Sequence, residues 1–148
     1  MVVSCISVLT IELEAMTPGT HFVFGSSMSQ VLAKNELSAI LVGLSSHALL
    51  DAIPHNDSVK GISLVTAVGA VVYAYKLFNS EEGDNLIAII GGLAGMLPDL
   101  EHTLKKTGLI ARSYYPTHTG LIHQPKAEPN TALIMELGVS TLCFKIAF

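Results

Sequence analysis

The sequence predicts an all-α fold, a bundle of about five helices embedded in a lipid bilayer with a metal site at one end. Three observations carry this expectation. Apolar segments are punctuated by proline, glycine and polar-turn signals. Charged residues make up 14% of the chain and hydrophobic residues 50%, with a mean hydropathy of +0.54, a balance shifted from that of soluble domains toward a lipid solvent. All six histidines fall where helix direction brings them to one end of the molecule, together with Asp51, Asp99 and Glu101.

At 148 residues the chain is one domain, large enough to bury a core without disulfides or a structural metal. Its net charge of -4, with only eight Lys and Arg, removes the electrostatic basis for nucleic-acid binding. Cys5 and Cys143 lack Cys-x-x-Cys spacing and read as small hydrophobes. Met1 to Ala15 has an apolar run but no basic leader and no cleavage site, and Glu12 and Glu14 follow the run directly. These residues read as an extension ahead of a domain spanning 16–148.

The elements follow in order. Thr17-Pro18-Gly19-Thr20 caps a first helix over His21 to Ala33. A second runs from about Glu36 to Ile53 and stops at Pro54. Lys60 to Phe78 reads as the third, and Asn79 to Asp84 is a polar turn. Asp84 caps a fourth helix, Asn85 to Leu97, whose Gly91-Gly92-Leu93-Ala94-Gly95 stretch suits close helix packing in lipid and which Pro98 is expected to close. A basic loop of about thirty residues follows, with Lys105, Lys106, Arg112 and Lys126. The last helix is Thr131 to Phe148. Helix three and the last helix are plausible membrane spans, helix two is marginal, and one and four are short; a soluble peripheral bundle is the competing architecture.

Short connections make successive helices antiparallel. One end therefore collects His21 from the start of helix one, His47, Asp51 and His55 from the end of helix two, and Asp99, Glu101 and His102 from the end of helix four. The loop adds His118 and His123. His47 and Asp51 are four apart on one helix face, within reach of one ion, and carboxylates on apolar helices are costly unless paired or metal-bound. His55 follows on the same face beyond the Pro54 bend. Zinc suits this nitrogen and oxygen donor set, on the order of one to three ions, with Asp99 or Glu101 as general base. Tyr114 and Tyr115 read as part of a packed loop, with substrate contact the alternative. No Gly-x-Ser-x-Gly elbow, Walker loop or dinucleotide fingerprint is present.

Thr20-His21 with Gly25, the run Gly43-Leu44-Ser45-Ser46-His47-Ala48-Leu49-Leu50-Asp51-Ala52-Ile53-Pro54-His55, and Gly92-Leu93-Ala94-Gly95-Met96-Leu97-Pro98-Asp99 resemble small bacterial membrane proteins. Those look related to the membrane-bound metal-dependent hydrolases, and more remotely to the all-helical zinc-dependent phospholipase C and single-strand nuclease group. The resemblance covers roughly residues 16–125. It implies that His21, His47, Asp51, Asp99 and His102 are metal ligands and that His118 and His123 are the family's paired histidines. Thr119 and Ile122 stand where the membrane hydrolases have Arg and Thr. The resemblance implies a phosphoester or lipid-like substrate and the bacterial cytoplasmic membrane; the positive-inside rule puts the histidine end in the cytoplasm. A non-enzymatic membrane protein with a structural or degenerate metal site remains the alternative.

Overall fold

Pro18 takes the first helical position of α1 (Pro18–Leu32), where its missing N–H costs nothing and its fixed φ suits the turn. The helix therefore starts ahead of the expected His21. Helix α2 (Glu36–Asp51) opens on a capping box in which Asn35 Oδ1 accepts from Ser38 N at 2.9 Å and Ser38 Oγ accepts from Asn35 N at 3.0 Å. α3 (Ile62–Asn79), α4 (Asn85–Lys106) and α5 (Pro129–Ala147) complete an all-helical fold of five helices. This computed structural model describes residues 16–54, 62–81, 85–117, 119 and 127–148.

One expected boundary is corrected. Helix α4 does not close at Pro98 but continues through it to Lys106. Pro98 removes the bond that an N–H there would make to Ala94 O, yet it is buried against the neighbouring helices, and packing carries the helix past the defect. The stop comes at Gly108, whose φ of +76° places it in the left-handed region. Leu109 N donates to Leu104 O at 2.9 Å and Gly108 N to Lys105 O at 3.0 Å, which is a Schellman termination. Asp99, Glu101 and His102 thus sit on rigid helix rather than on a loop.

Helix α1 is the centre of the bundle, packed against all four others; α2 and α4 also pack on each other, and α3 touches α4 and α5. Small residues make this possible. A Cβ on Gly43 of α2 would stand 2.2 Å from Gly91 O, and one on Gly95 would stand 2.8 Å from His21 O. The backbones of α1, α2 and α4 therefore meet with no side chain between them, the close packing expected of the glycine-rich stretch.

Beside an apolar core that includes Phe22, Val23, Leu50, Tyr73, Leu77 and Ile87, the bundle buries many polar groups. The interior holds Thr20, Ser26, Ser27, Ser29, Ser46, His21, His47, Asp51, Asp99 and Glu136. The exterior carries Leu64, Val68, Val71, Tyr75 and Phe78 along α3, and Ile134, Leu142 and Ile146 along α5. Contiguous apolar surface of this kind marks an interface with membrane or partner. Among the described residues one helix, Pro129–Ala147, is long and apolar enough to cross a membrane.

Gly43→Ala is expected to destabilise the bundle by about 1–3 kcal/mol through overpacking. Gly69→Ala, on α3 where nothing lies within 4 Å, should instead gain about 0.5–1 kcal/mol from helix propensity. Thermal unfolding of the two variants under the same conditions checks both signs.

Candidate metal centre

The first turn of α1 is held from two sides. Thr17 N donates to Glu136 Oε1 of α5 at 2.8 Å, and Thr17 Oγ1 donates to Thr66 Oγ1 of α3 at 2.6 Å. His21, which follows one turn later, is fully buried. His47 and Asp51 occupy the last turns of α2, and Asp99 follows Pro98 on α4. Three helices thereby deliver four ionisable side chains to one point, as their direction and spacing predict.

The distances are short and mutually consistent. His21 Nε2 lies 3.4 Å from Asp51 Oδ1 and 3.9 Å from Asp99 Oδ2. His47 Nε2 lies 3.1 Å from Asp51 Oδ2 and 4.0 Å from Asp99 Oδ1. The two imidazoles stack with centroids 3.9 Å apart at 23°. One donor atom each from His21, His47 and Asp99 lies within 4.8 Å of the others, so these three buried residues could hold a metal ion. Two atoms bonded to a tetrahedral zinc at its usual bond lengths are about 3.3 Å apart, and the cluster spacings bracket that edge.

The protonation of His47 gives the arrangement its chemistry. Its Nδ1 stands 2.8 Å from Gly95 O, and a carbonyl only accepts, so Nδ1 carries the proton. In neutral imidazole Nε2 is then a lone pair aimed at carboxylate oxygens. Such a pairing is repulsive unless a proton, on the ring or on the carboxyl, or a metal ion lies between. The Gly95 contact is the kind of outer bond that orients metal-binding histidines.

The remaining candidates divide. His102 is half-buried on α4 one turn beyond Asp99, outside the trio of converging donors. Glu101, expected as a general base, instead anchors backbone. Its Oε1 accepts from the N–H groups of Tyr114 and Tyr115, tying the following loop to α4. Tyr115 packs its ring edge-on against His47, centroids 5.1 Å apart, and donates its hydroxyl to Leu44 O. Burial, and next the Asp51 charge, push its phenol above the ordinary value. Tyr114 is exposed, with the Arg112 guanidinium 4.9 Å from its ring centroid. The loop packs on the site through Tyr115, as the packed-loop reading expects. His55, His118 and His123 lie outside the described residues.

Sequence reasoning missed Glu136, Thr66 and the Gly95 carbonyl. Glu136 had a signal, being the one acidic residue in an otherwise apolar last helix. Thr66 and a backbone carbonyl had none. Family models, curated proteins and solved structures give no match to this chain.

Glu101→Ala is expected to release the loop. Hydrogen exchange at the Tyr114 and Tyr115 amides should accelerate while α1 and α2 keep their protection; unchanged exchange at those amides would remove the anchoring role.

Proposed function

We propose that this chain is a membrane-embedded, metal-dependent hydrolase, with zinc as the ion and a phosphoester or lipid-like molecule as substrate. The observation that supports it above all is the convergence of His21, His47, Asp51 and Asp99 in a buried cluster, with imidazole nitrogens 3.1–3.4 Å from the Asp51 oxygens. Two histidines with one carboxylate are a common catalytic zinc set that leaves a position open. In this reading His21 Nε2, His47 Nε2 and one Asp99 oxygen hold the ion. Asp51 spans both imidazoles and fixes their spacing. The ion supplies a Lewis acid and lowers the pKa of water at the open position. The carboxylate oxygens left over on Asp51 and Asp99 are the groups placed to accept the proton from attacking water.

The exposed apolar faces of α3 and α5 support the membrane part, because apolar surface outside and buried ionisable groups inside suit a lipid solvent. We place the protein in the bacterial cytoplasmic membrane with the metal end toward the cytoplasm. Lys105, Lys106 and Arg112 follow Asp99 at that end, and the positive-inside rule favours this orientation, against the opposing pull of Lys34 and Lys76.

A second reading has its own observation. His47 Nε2 to Asp51 Oδ2 at 3.1 Å is also hydrogen-bond length, so a charged His47 bound to Asp51 would make the cluster a structural ion pair in a non-enzymatic protein.

Metal analysis separates the two. The purified wild type is expected to carry zinc, and His47→Ala/Asp51→Ala to lose it together with any turnover of a generic phosphodiester. A wild type without zinc or manganese, or a double variant with unchanged metal content, contradicts the metal reading. Carbonate washing of membranes should leave the chain in the pellet; release into the wash contradicts the integral reading.

A further inference from the structure

Three of the four cluster side chains, His21, His47 and Asp51, are 0% exposed, while Asp99 is 4% exposed. Asp99 is therefore where the cluster approaches the surface. It forms part of the wall of a groove of about 450 Å³ whose other walls are Pro18, Leu93, Met96, Leu97, Leu100 and Thr103. Thr103 does not make the groove polar, because its Oγ1 already donates to Asp99 O at 3.0 Å. A second hollow, about 470 Å³, runs between α1 and α3 and shares Pro18, Leu93 and Met96 with the first. The two form one apolar trough that leads from the exposed apolar face of α3 to a single charged group. Each hollow has a volume in the range of sites that take one small-molecule ligand, about 300–1,000 Å³.

A water-soluble phosphoester would meet almost nothing to hydrogen-bond along this path, whereas an alkyl chain would be matched throughout. The trough wall at Leu93, Leu97 and Leu100 is about half exposed, on the same kind of apolar exterior that α3 presents. The trough thus offers a lateral approach to Asp99 between α1, α3 and α4.

We infer that this trough seats one long alkyl chain of the substrate, so that the cluster acts on a single-chain alkyl phosphoester taken laterally from the bilayer. The inference rests on the metal reading above and narrows its substrate class. The reaction would split the P–O bond to the alkyl-bearing oxygen, with water supplying the hydroxyl to phosphorus and a proton to the departing alcohol. Leu93, Met96 and Leu97 then determine specificity without touching the reacting atoms.

The test uses the full chain, loaded with zinc, in vesicles of phosphatidylethanolamine and phosphatidylglycerol. A trace of hexadecylphosphonate, which resists hydrolysis, carries a diazirine near its chain end, and hexadecanol with the same tag is the headgroup-free control. The phosphonate is expected to label the α4 segment 93–100 and the facing part of α3 in preference to α5, and more than the alcohol does. Leu97→Trp should cut that labelling by about tenfold, the low end of what altered contacts in an apolar pocket cost. Ile134→Trp on α5 should leave it unchanged.

Equal labelling by the two probes, even labelling of α5, insensitivity to Leu97→Trp, or crosslinks showing the trough filled by residues 1–15 of the chain would each overturn the inference. Zinc content measured on the same samples reads the metal proposal separately. A zinc-free chain defeats that proposal, while a zinc-loaded chain with no trough preference defeats only this one.

Discussion

Two carboxylates, Asp51 and Asp99, are buried against two imidazoles in a bundle whose outer surface is largely apolar, and this burial constrains everything around it. An uncompensated carboxylate in such surroundings costs several kcal/mol, and truncating one partner of a buried pair commonly costs about 3–5 kcal/mol. The compensation comes from a shared cation or from protons held within the cluster. In either case α1, α2 and α4 must hold their side chains to within fractions of an ångström. The missing side chains at Gly43, Gly91 and Gly95 let the three backbones come close enough, and the His47 contact with Gly95 O locks one ring to the opposing helix.

The outer helices serve this centre from a distance. α3 and α5 contribute Thr66 and Glu136, which fix the start of α1 through Thr17 and so the height of His21. On the other side of α1, Tyr73 packs edge-on against Phe22 and Phe144, and its hydroxyl lies 2.7 Å from Ser27 Oγ. Polar groups thus join Val23, Leu50, Tyr73 and Leu77 in holding the interior together, while much leucine, valine and isoleucine surface stays outside. Where the helix backbones approach this closely, small residues and hydrogen bonds supply much of the contact.

The number and order of the helices were legible in the sequence because caps, prolines and polar turns punctuate apolar runs. The His47–Asp51 pair was legible from helical spacing, and its meeting with His21 and Asp99 from helix direction alone. Pro98 misled because its local cost argues for a stop, and only tertiary burial reveals that the helix continues. The true stop had its own signal in Lys105-Lys106-Thr107-Gly108, with basic residues in the last turn and a glycine after it. Glu101 misled in another way. A carboxylate near a cluster reads as a catalytic group, whereas the two backbone N–H groups that claim it belong to a loop whose conformation no spacing rule predicts. The contact of Tyr115 with His47 depends on the same loop.

The proposal that His21, His47 and Asp99 hold a metal ion, with Asp51 spacing the imidazoles, is tested most directly by zinc K-edge X-ray absorption on the zinc-loaded full chain. A metal centre of this kind predicts a low-coordinate nitrogen and oxygen shell at about 2.0–2.2 Å, with outer scattering from two imidazoles and no sulfur. A six-coordinate, water-like shell without imidazole scattering, or a chain that retains no zinc, would contradict it and leave the cluster as buried ion pairs.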